Sequence, residues 1–464
     1  MCCMKRCKLK ILLVIILGLI GLLFVSDLGL CAYFHLRTDN TPAEDDSDLR
    51  LPEETISDEN NAYVAFLSVT NRLEAVSSDD LLLCHVYANI YNGITNKWGM
   101  SRVKDIDALR PDIDRILAEQ APLFDQLHEV AACPRYRLAC QESEIIQLPP
   151  ISEMMQATKL WRVKAFRAME RGREADALAS IRDCLAFSCK VRDDSPIFVE
   201  LIVGSVICEM ASVAATRLAL NDQTSERVRR EVVEMLSKAE PDPECVFARA
   251  VRREYSYVSR ALKKIYAVAS PDGCGNVEYL HPFLPSFLRL AFAKWALRKD
   301  VVFRFAFQPE RTQDALARYV RAVLAGADKE NAMPEVHSAF QPNCLGICFL
   351  RMLSPAIQDV RIRLLKHVFK LRAERTALAV DAYRRANSGS CPASLEALVP
   401  EYLPTVPKDP FAPERALCFD GTHNLVWSVG PDGTFNPFPA RTNSFSRLER
   451  DMRNYAMRLD LKGE

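Results

Sequence analysis

Apolar residues follow three regimes along this chain. From Leu9 to Val25 they run almost unbroken, with Lys10 the one interruption, and the apolar character resumes after Asp27 and continues to Leu36. Ile11 to Leu36 is long enough, at about 1.5 Å per residue, to cross a hydrocarbon core of roughly 30 Å. From Ala62 to about Arg351 apolar positions recur at helical steps instead. Val64, Leu67 and Leu73 fall near one face of a first helix, and Ile113, Ile116, Leu117, Leu123, Leu127 and Val130 continue the pattern. Prolines 134, 149–150, 196, 241/243, 271, 282/285 and 309 divide this region into helices of roughly 10 to 25 residues. Beyond Pro355 one long stripe (Ile357, Val360, Leu364, Val368, Leu371, Val380, Tyr383) gives way to short apolar alternations between prolines and glycines.

Two parts of the helical region are informative. Leu160 to Val191 reads as two amphipathic segments hinged at Gly172. Ala165, Ala177, Ile181 and Leu185 supply the small and apolar contacts of a tetratricopeptide-type helical hairpin, although no second copy follows at a 34-residue offset. His281 to Phe307 is aromatic and basic, and is expected to be a buried helix with its cations toward water; a helix lying on an anionic membrane is the alternative. The long stripe should end at Asn387-Ser388-Gly389, residues that tolerate the left-handed conformation. Its eight basic and three acidic residues are read as a solvated face.

After it, prolines at 400, 404, 407, 410 and 413 exclude a helix or a central strand. Arg415–Phe419 and Asn424–Gly430 flank Asp420-Gly421 and predict a β-hairpin. Leu425, Trp427 and Val429 would share the face covered by the long helix. The spacing of Phe445, Leu448, Met452, Tyr455 and Leu459 predicts a closing amphipathic helix. The fold expected is therefore mainly α: an N-terminal transmembrane helix, a multi-helix middle and a small α+β module in which a long helix packs on a short antiparallel hairpin. The boundaries read as a basic N-terminus 1–8, an anchor 9–36, an acidic linker 37–61, a helical domain 62–351, the module 355–438 and a tail 439–464.

Charge sharpens the orientation. Lysine plus arginine equals aspartate plus glutamate at 60 each, so no overall field favours nucleic acid. Lys5, Arg6, Lys8 and Lys10 precede the apolar run, which places the N-terminus in the cytoplasm and everything after Arg37 across the membrane. A cleaved signal peptide is the competing reading, but no small-x-small pattern follows the run. Asp39 to Asn61 holds nine acids and one base, Arg50, and is expected to be extended and mobile. Of sixteen cysteines, Cys2, Cys3 and Cys7 would be cytoplasmic, and those beyond residue 80 would face a compartment that permits disulfides. They read mainly as small buried hydrophobes. Long-range bridges stay open, since sequence does not pair them.

The C-terminal segment carries a resemblance. Pro392, Leu395, Pro407, Asp409, Pro410, Phe411, Ser428, Gly430, Asp432 and Gly433 occur in the order found in the globular part of the type II secretion major pseudopilin: a short helix, a VPxDP turn and an SxGxDG strand end. The layout of anchor, helical middle and such a module also resembles a family of uncharacterised bacterial envelope proteins, which places the chain at a bacterial inner membrane, single-pass, with its bulk periplasmic. The pseudopilin resemblance implies calcium in the loop after Asp432. Here that aspartate is the one ligand retained, because no acid follows before Glu449. The family's tyrosine is replaced by Cys391 and no prepilin-peptidase site precedes the apolar run, so processing as a pilin is not expected.

No GxSxG, Walker, HExxH or paired CxxC motif is present, and no catalytic residue or cofactor is assigned. His128, Glu129 and Cys133 come nearest to a ligand cluster but supply too few donors for zinc. The expected partners are the bilayer, through residues 9–36, and an envelope protein, in a binding or scaffolding role. A hydrolase with its site between helical domain and module, and an accessory factor docking with a pseudopilin through residues 388–464, are the alternatives.

Overall fold

The computed structural model describes residues 36, 44–52, 56–91, 106–138, 149–194, 197–269, 307–326, 341–437 and 455–459. The anchor apart from Leu36, the aromatic and basic segment up to residue 306, and tail residues 439–454 lie outside the described residues. Eleven described α-helices carry the fold: α1 Ala62–Glu74, α2 Ser78–Tyr91, α3 Ile106–Glu119, α4 Ala121–Ala132, α5 Ile151–Glu170, α6 Glu174–Asp194, α7 Phe198–Leu220, α8 Glu226–Ala239, α9 Pro243–Ala269, α10 Pro309–Leu324 and α11 Cys344–Ala386. Two small antiparallel sheets follow, so the protein is mainly helical with minor β structure at its C-terminal end. The chain divides into two compact units, Met1–Leu51 with Glu254–Ala356, and Pro52–Arg253 with Ile357–Glu464.

In the second unit the core is built by α1–α8 and one side of α11. The Asn61 side chain caps α1 by accepting from the Tyr63 amide at 3.1 Å. Tyr63, Phe66, Val69 and Leu73 are buried at helical spacing. This core face differs from the expected one: Leu67 is 43% exposed, because the true stripe begins one residue earlier, at Tyr63. Ile113, Ile116, Leu123, Leu127 and Val130 are buried as their spacing predicts.

α5 and α6 form the helical hairpin read from the sequence. Gly172 at φ +67° closes it. The amide of Gly172 bonds the Met169 carbonyl and that of Arg173 bonds the Ala168 carbonyl, the paired bonds that satisfy the last carbonyls of a helix ending in a left-handed residue. α6 and α7 pack closely. A side chain on Gly204 would meet the Arg192 amide nitrogen at 2.5 Å and the Ser188 carbonyl oxygen at 2.9 Å, so only glycine admits this approach. Among the described residues α7 is the one helix long and apolar enough to cross a membrane, and 67% of its most apolar stretch is buried in the protein. It contains Glu200 and Glu209, and Glu200 is buried and accepts from the Tyr136 hydroxyl at 2.7 Å.

α11 runs 43 residues and starts earlier than the stripe predicts, continuing through Pro355 rather than beginning there. It stops where expected: Ser388 and Gly389 have φ +53° and +85°, and the Gly389 amide bonds the Arg384 carbonyl. One side contributes Leu371 and Leu378 to the helical core. Another contributes Phe369, Ala373, Ala377 and Val380 to a second core with Leu395, Leu398, Leu403, Leu417, Val426 and Leu459.

There are two small sheets among the described residues: β1 (Lys408–Asp409) pairs with β2 (Ala412–Ala416), and β3 (Cys418–Asp420), β4 (Leu425–Trp427) and β5 (Ala456–Arg458) form a three-stranded antiparallel sheet. The predicted hairpin is β3–β4, with Asp420 accepting from the Thr422 and His423 amides in the turn. Two expectations are corrected. The face meeting α11 is the cross-strand row Phe419, Val426 and Met457, not the one bearing Leu425, Trp427 and Val429. Ala456–Arg458, at the end of the predicted closing helix, are a strand, because β4 offers a free edge whose pairing outweighs the local helical spacing.

In the first unit, part of the acidic stretch is packed rather than extended. Ser47–Leu49 make a 3-10 turn with Leu49 buried. The nearly buried Asp46 carboxylate accepts from Arg50 at 2.7 Å, the Tyr255 hydroxyl at 2.6 Å and Gln313 at 2.8 Å. The Arg50 bond holds Asp46 well below the usual carboxylate range, against the opposing effect of burial.

Candidate functional site

The residues singled out in the C-terminal segment are organised around one carboxylate. Asp409 is fully buried at the end of β1. It accepts from the Ser428 hydroxyl at 2.7 Å, the Val429 amide at 2.8 Å and the Phe411 amide at 2.9 Å. The Gly430 amide donates to Ser428 Oγ at 3.1 Å, extending the chain of bonds by one link. Gly430 and Gly433 adopt φ of +73° and +67°, as the turn requires. Pro392, Leu395 and Pro410 are buried, and the Pro407 carbonyl accepts from the Leu417 amide. The Phe411 ring meets Tyr455 edge-on at 5.6 Å. Asp432 lies exposed in the turn. No three His, Cys, Asp or Glu side chains converge as a metal site among the described residues. His128 faces Asp183 at 3.0 Å, and His423 closes on Asp420 at 2.8 Å, both in exposed positions. This cluster is a device for fixing the path of a loop.

A second cluster, at the packing of α6, α7 and α11, holds more varied chemistry. Arg192 of α6 is 1% exposed. Its guanidinium forks onto Asp193 at 2.7 and 2.9 Å. It also donates to the Ala239 carbonyl at 2.8 Å and meets His367 Nε2 at 3.0 Å. Arginine has no acceptor, so Nε2 accepts and the imidazole proton sits on Nδ1, which faces Glu209 at 3.6 Å. His367 is 0% exposed, and burial lowers its basicity, so the ring is neutral. Glu209 also pairs with Lys370. Burial, the largest influence on Glu209, raises its carboxyl, and His367 and Lys370 together outweigh it, leaving the group below the usual range.

One turn further along α11, burial pushes the Glu374 carboxyl up to about 8, against the opposing effect of Ser212, so it is protonated at neutral pH. A raised carboxyl means the folded state binds the extra proton. The stability it confers is present below the ordinary carboxylate range and is lost as pH climbs from about 4.5 to about 8. Glu374→Gln should therefore flatten the decline of unfolding free energy across that window, a slope of at most about 1.4 kcal/mol per pH unit, measured by denaturant titration at several pH values.

Beside Arg192 lie two thiols, Cys189 of α6 and Cys208 of α7. The guanidinium is 3.8 Å from Cys208 Sγ. The Cys208 thiol holds the Cys189 sulfur below the usual thiol range despite burial, assisted by Arg192, and Cys208 is itself pushed well above that range. All ten described cysteines are free thiols. The charges of α11 are thus only partly a solvated face: Asp359, Arg361, Arg363 and Arg385 are exposed, whereas His367 and Glu374 are interior and Arg372 and Arg375 both bind Glu240, at 2.7 and 2.6 Å. Both of His367's nitrogens face protein charges, an arrangement that joins helices rather than presenting a base.

No protein-family model, no curated protein and no solved structure matches this chain. The C-terminal resemblance therefore rests on the quoted residues alone.

Proposed function

We propose that this is a single-pass protein of a bacterial inner membrane, held by residues 9–36 with its N-terminus cytoplasmic and its bulk periplasmic, whose folded part binds a protein partner in the envelope. The observation that carries the binding role is on α7. This core helix leaves an apolar stripe uncovered, with Val206 and Val213 each 37% exposed, Met210 half-buried between them and Val203 half-buried one turn before Val206. Residues three and four apart on a helix share a face, so the four make a continuous strip suited to an amphipathic helix of another protein.

A photo-crosslinking amino acid placed at Val206 or Val213 in the full chain, in cells, should yield one discrete protein adduct. The same probe at Glu234, exposed on α8, should not. Val206→Asp combined with a probe at Val213 should abolish the adduct while leaving the melting midpoint unchanged. Absence of an adduct, or equal labelling from Glu234, would overturn the binding role.

A further inference from the structure

We propose that Cys189 and Cys208 are a dithiol–disulfide couple, a redox site that clasps α6 to α7. The inference stands on helix geometry and does not depend on the partner-binding role. Gly204 lets the two backbones touch at Arg192 and Ser188. Cys208 lies one turn beyond Gly204 on α7, and Cys189 lies between Ser188 and Arg192 on α6, so both residues belong to the stretch where the helices approach. A disulfide needs Cα atoms about 4.4–6.8 Å apart, a separation that packed helices reach only at such small-residue contacts. The Arg192 guanidinium, 3.8 Å from Cys208 Sγ, lies on this same contact.

The two cysteines are not equivalent. Cys189 is half-buried and Cys208 fully buried, so a reagent from solvent meets Cys189 first. Arg192 supplies the positive charge that favours a thiolate there. The chemistry is thiol–disulfide exchange with an external disulfide. The Cys189 thiolate attacks one sulfur of that disulfide, a mixed disulfide forms and one thiolate leaves. Cys208, losing its proton, then attacks Cys189 sulfur and expels the second thiolate. Two protein thiols are oxidised, one external disulfide is reduced to two thiols, and the two protons pass to the leaving groups.

The test treats the native full chain in detergent with oxidised glutathione, alkylates the remaining thiols and maps peptides. Cys245, exposed on α9, serves as the reactivity control. The expected result is a Cys189–Cys208 linkage, a raised melting midpoint and reversal of both by dithiothreitol. Cys208→Ser should trap glutathione on Cys189, and Cys189→Ser should leave Cys208 unmodified. Arg192→Lys, which keeps the charge, should capture glutathione at Cys189 faster than Arg192→Met when both are compared under conditions where each is folded. The proposal is overturned if Cys245 reacts while both Cys189 and Cys208 stay free, if they link only in denaturant, or if Cys208→Ser traps nothing at Cys189.

Discussion

Replacing Arg192 with methionine should lower the unfolding free energy of the Pro52–Arg253 and Ile357–Glu464 unit by about 3–5 kcal/mol, the range for breaking a buried ion pair from one side. Methionine keeps most of the volume, so the loss comes from what the guanidinium leaves behind. The Ala239 carbonyl and His367 Nε2 lose their donor inside the protein, and each buried acceptor without a partner costs about 1–3 kcal/mol. Asp193 is partly exposed and can turn to water, so it adds less. Lysine should give an intermediate loss, because an ammonium cannot reproduce the fork onto Asp193. The comparison is Arg182→Ala, which breaks an exposed pair with Glu231 and should cost below about 1 kcal/mol. Hydrogen exchange read on α6 and α7 peptides resolves the effect to this unit. Equal protection in Arg192→Met and Arg182→Ala would show that the buried cluster does not stabilise the fold.

How much of this was legible before folding varies from residue to residue. Elements set by local chemistry were readable: the hinge at Gly172, the stop at Ser388-Gly389 and the turn at Asp420-Gly421 each depend on one or two residues whose backbone preferences are strong. Choices decided by neighbours distant in sequence were not. Leu425, Val426, Trp427 and Val429 are apolar at both parities, so alternation could not say which face meets α11. Phe419 and Met457, the cross-strand partners of Val426, decide it. Pro355 disfavours a helix locally, yet α11 continues through it. Arg192, Cys208 and His367 come from three helices, and no spacing along the chain announces their meeting. His367, Lys370 and Glu374 are spaced on one helical face, and that was the available signal. A single helix pattern cannot show that α11 is covered on more than one side, so from the sequence these charges predict a solvated face.

The carboxylate of Asp409 gives the sharpest test of the C-terminal segment. Asp409→Ala removes the acceptor of two buried donors, Val429 N and Ser428 Oγ, and of the part-buried Phe411 N. With each orphaned donor costing about 1–3 kcal/mol and some relaxation of the loop, the expected loss is about 3 kcal/mol. Ser428→Ala should cost about 1–2 kcal/mol, because the carboxylate keeps two amide donors while the Gly430 amide loses its acceptor. The two residues share one bond, so their effects should not add. The double variant should be less destabilised than the sum by about 1 kcal/mol, as contacting partners in one network are. Asp409→Asn separates charge from shape: it keeps one carbonyl acceptor but turns an NH2 toward donors, so it should fall between wild type and alanine. Exchange protection of the Val429 and Gly430 amides reports the loop directly. If Asp409→Ala leaves those amides as protected as in the parent, the β1–β2 connection and the Gly430–Gly433 turn are held by packing of Phe411 on Tyr455 and not by the carboxylate.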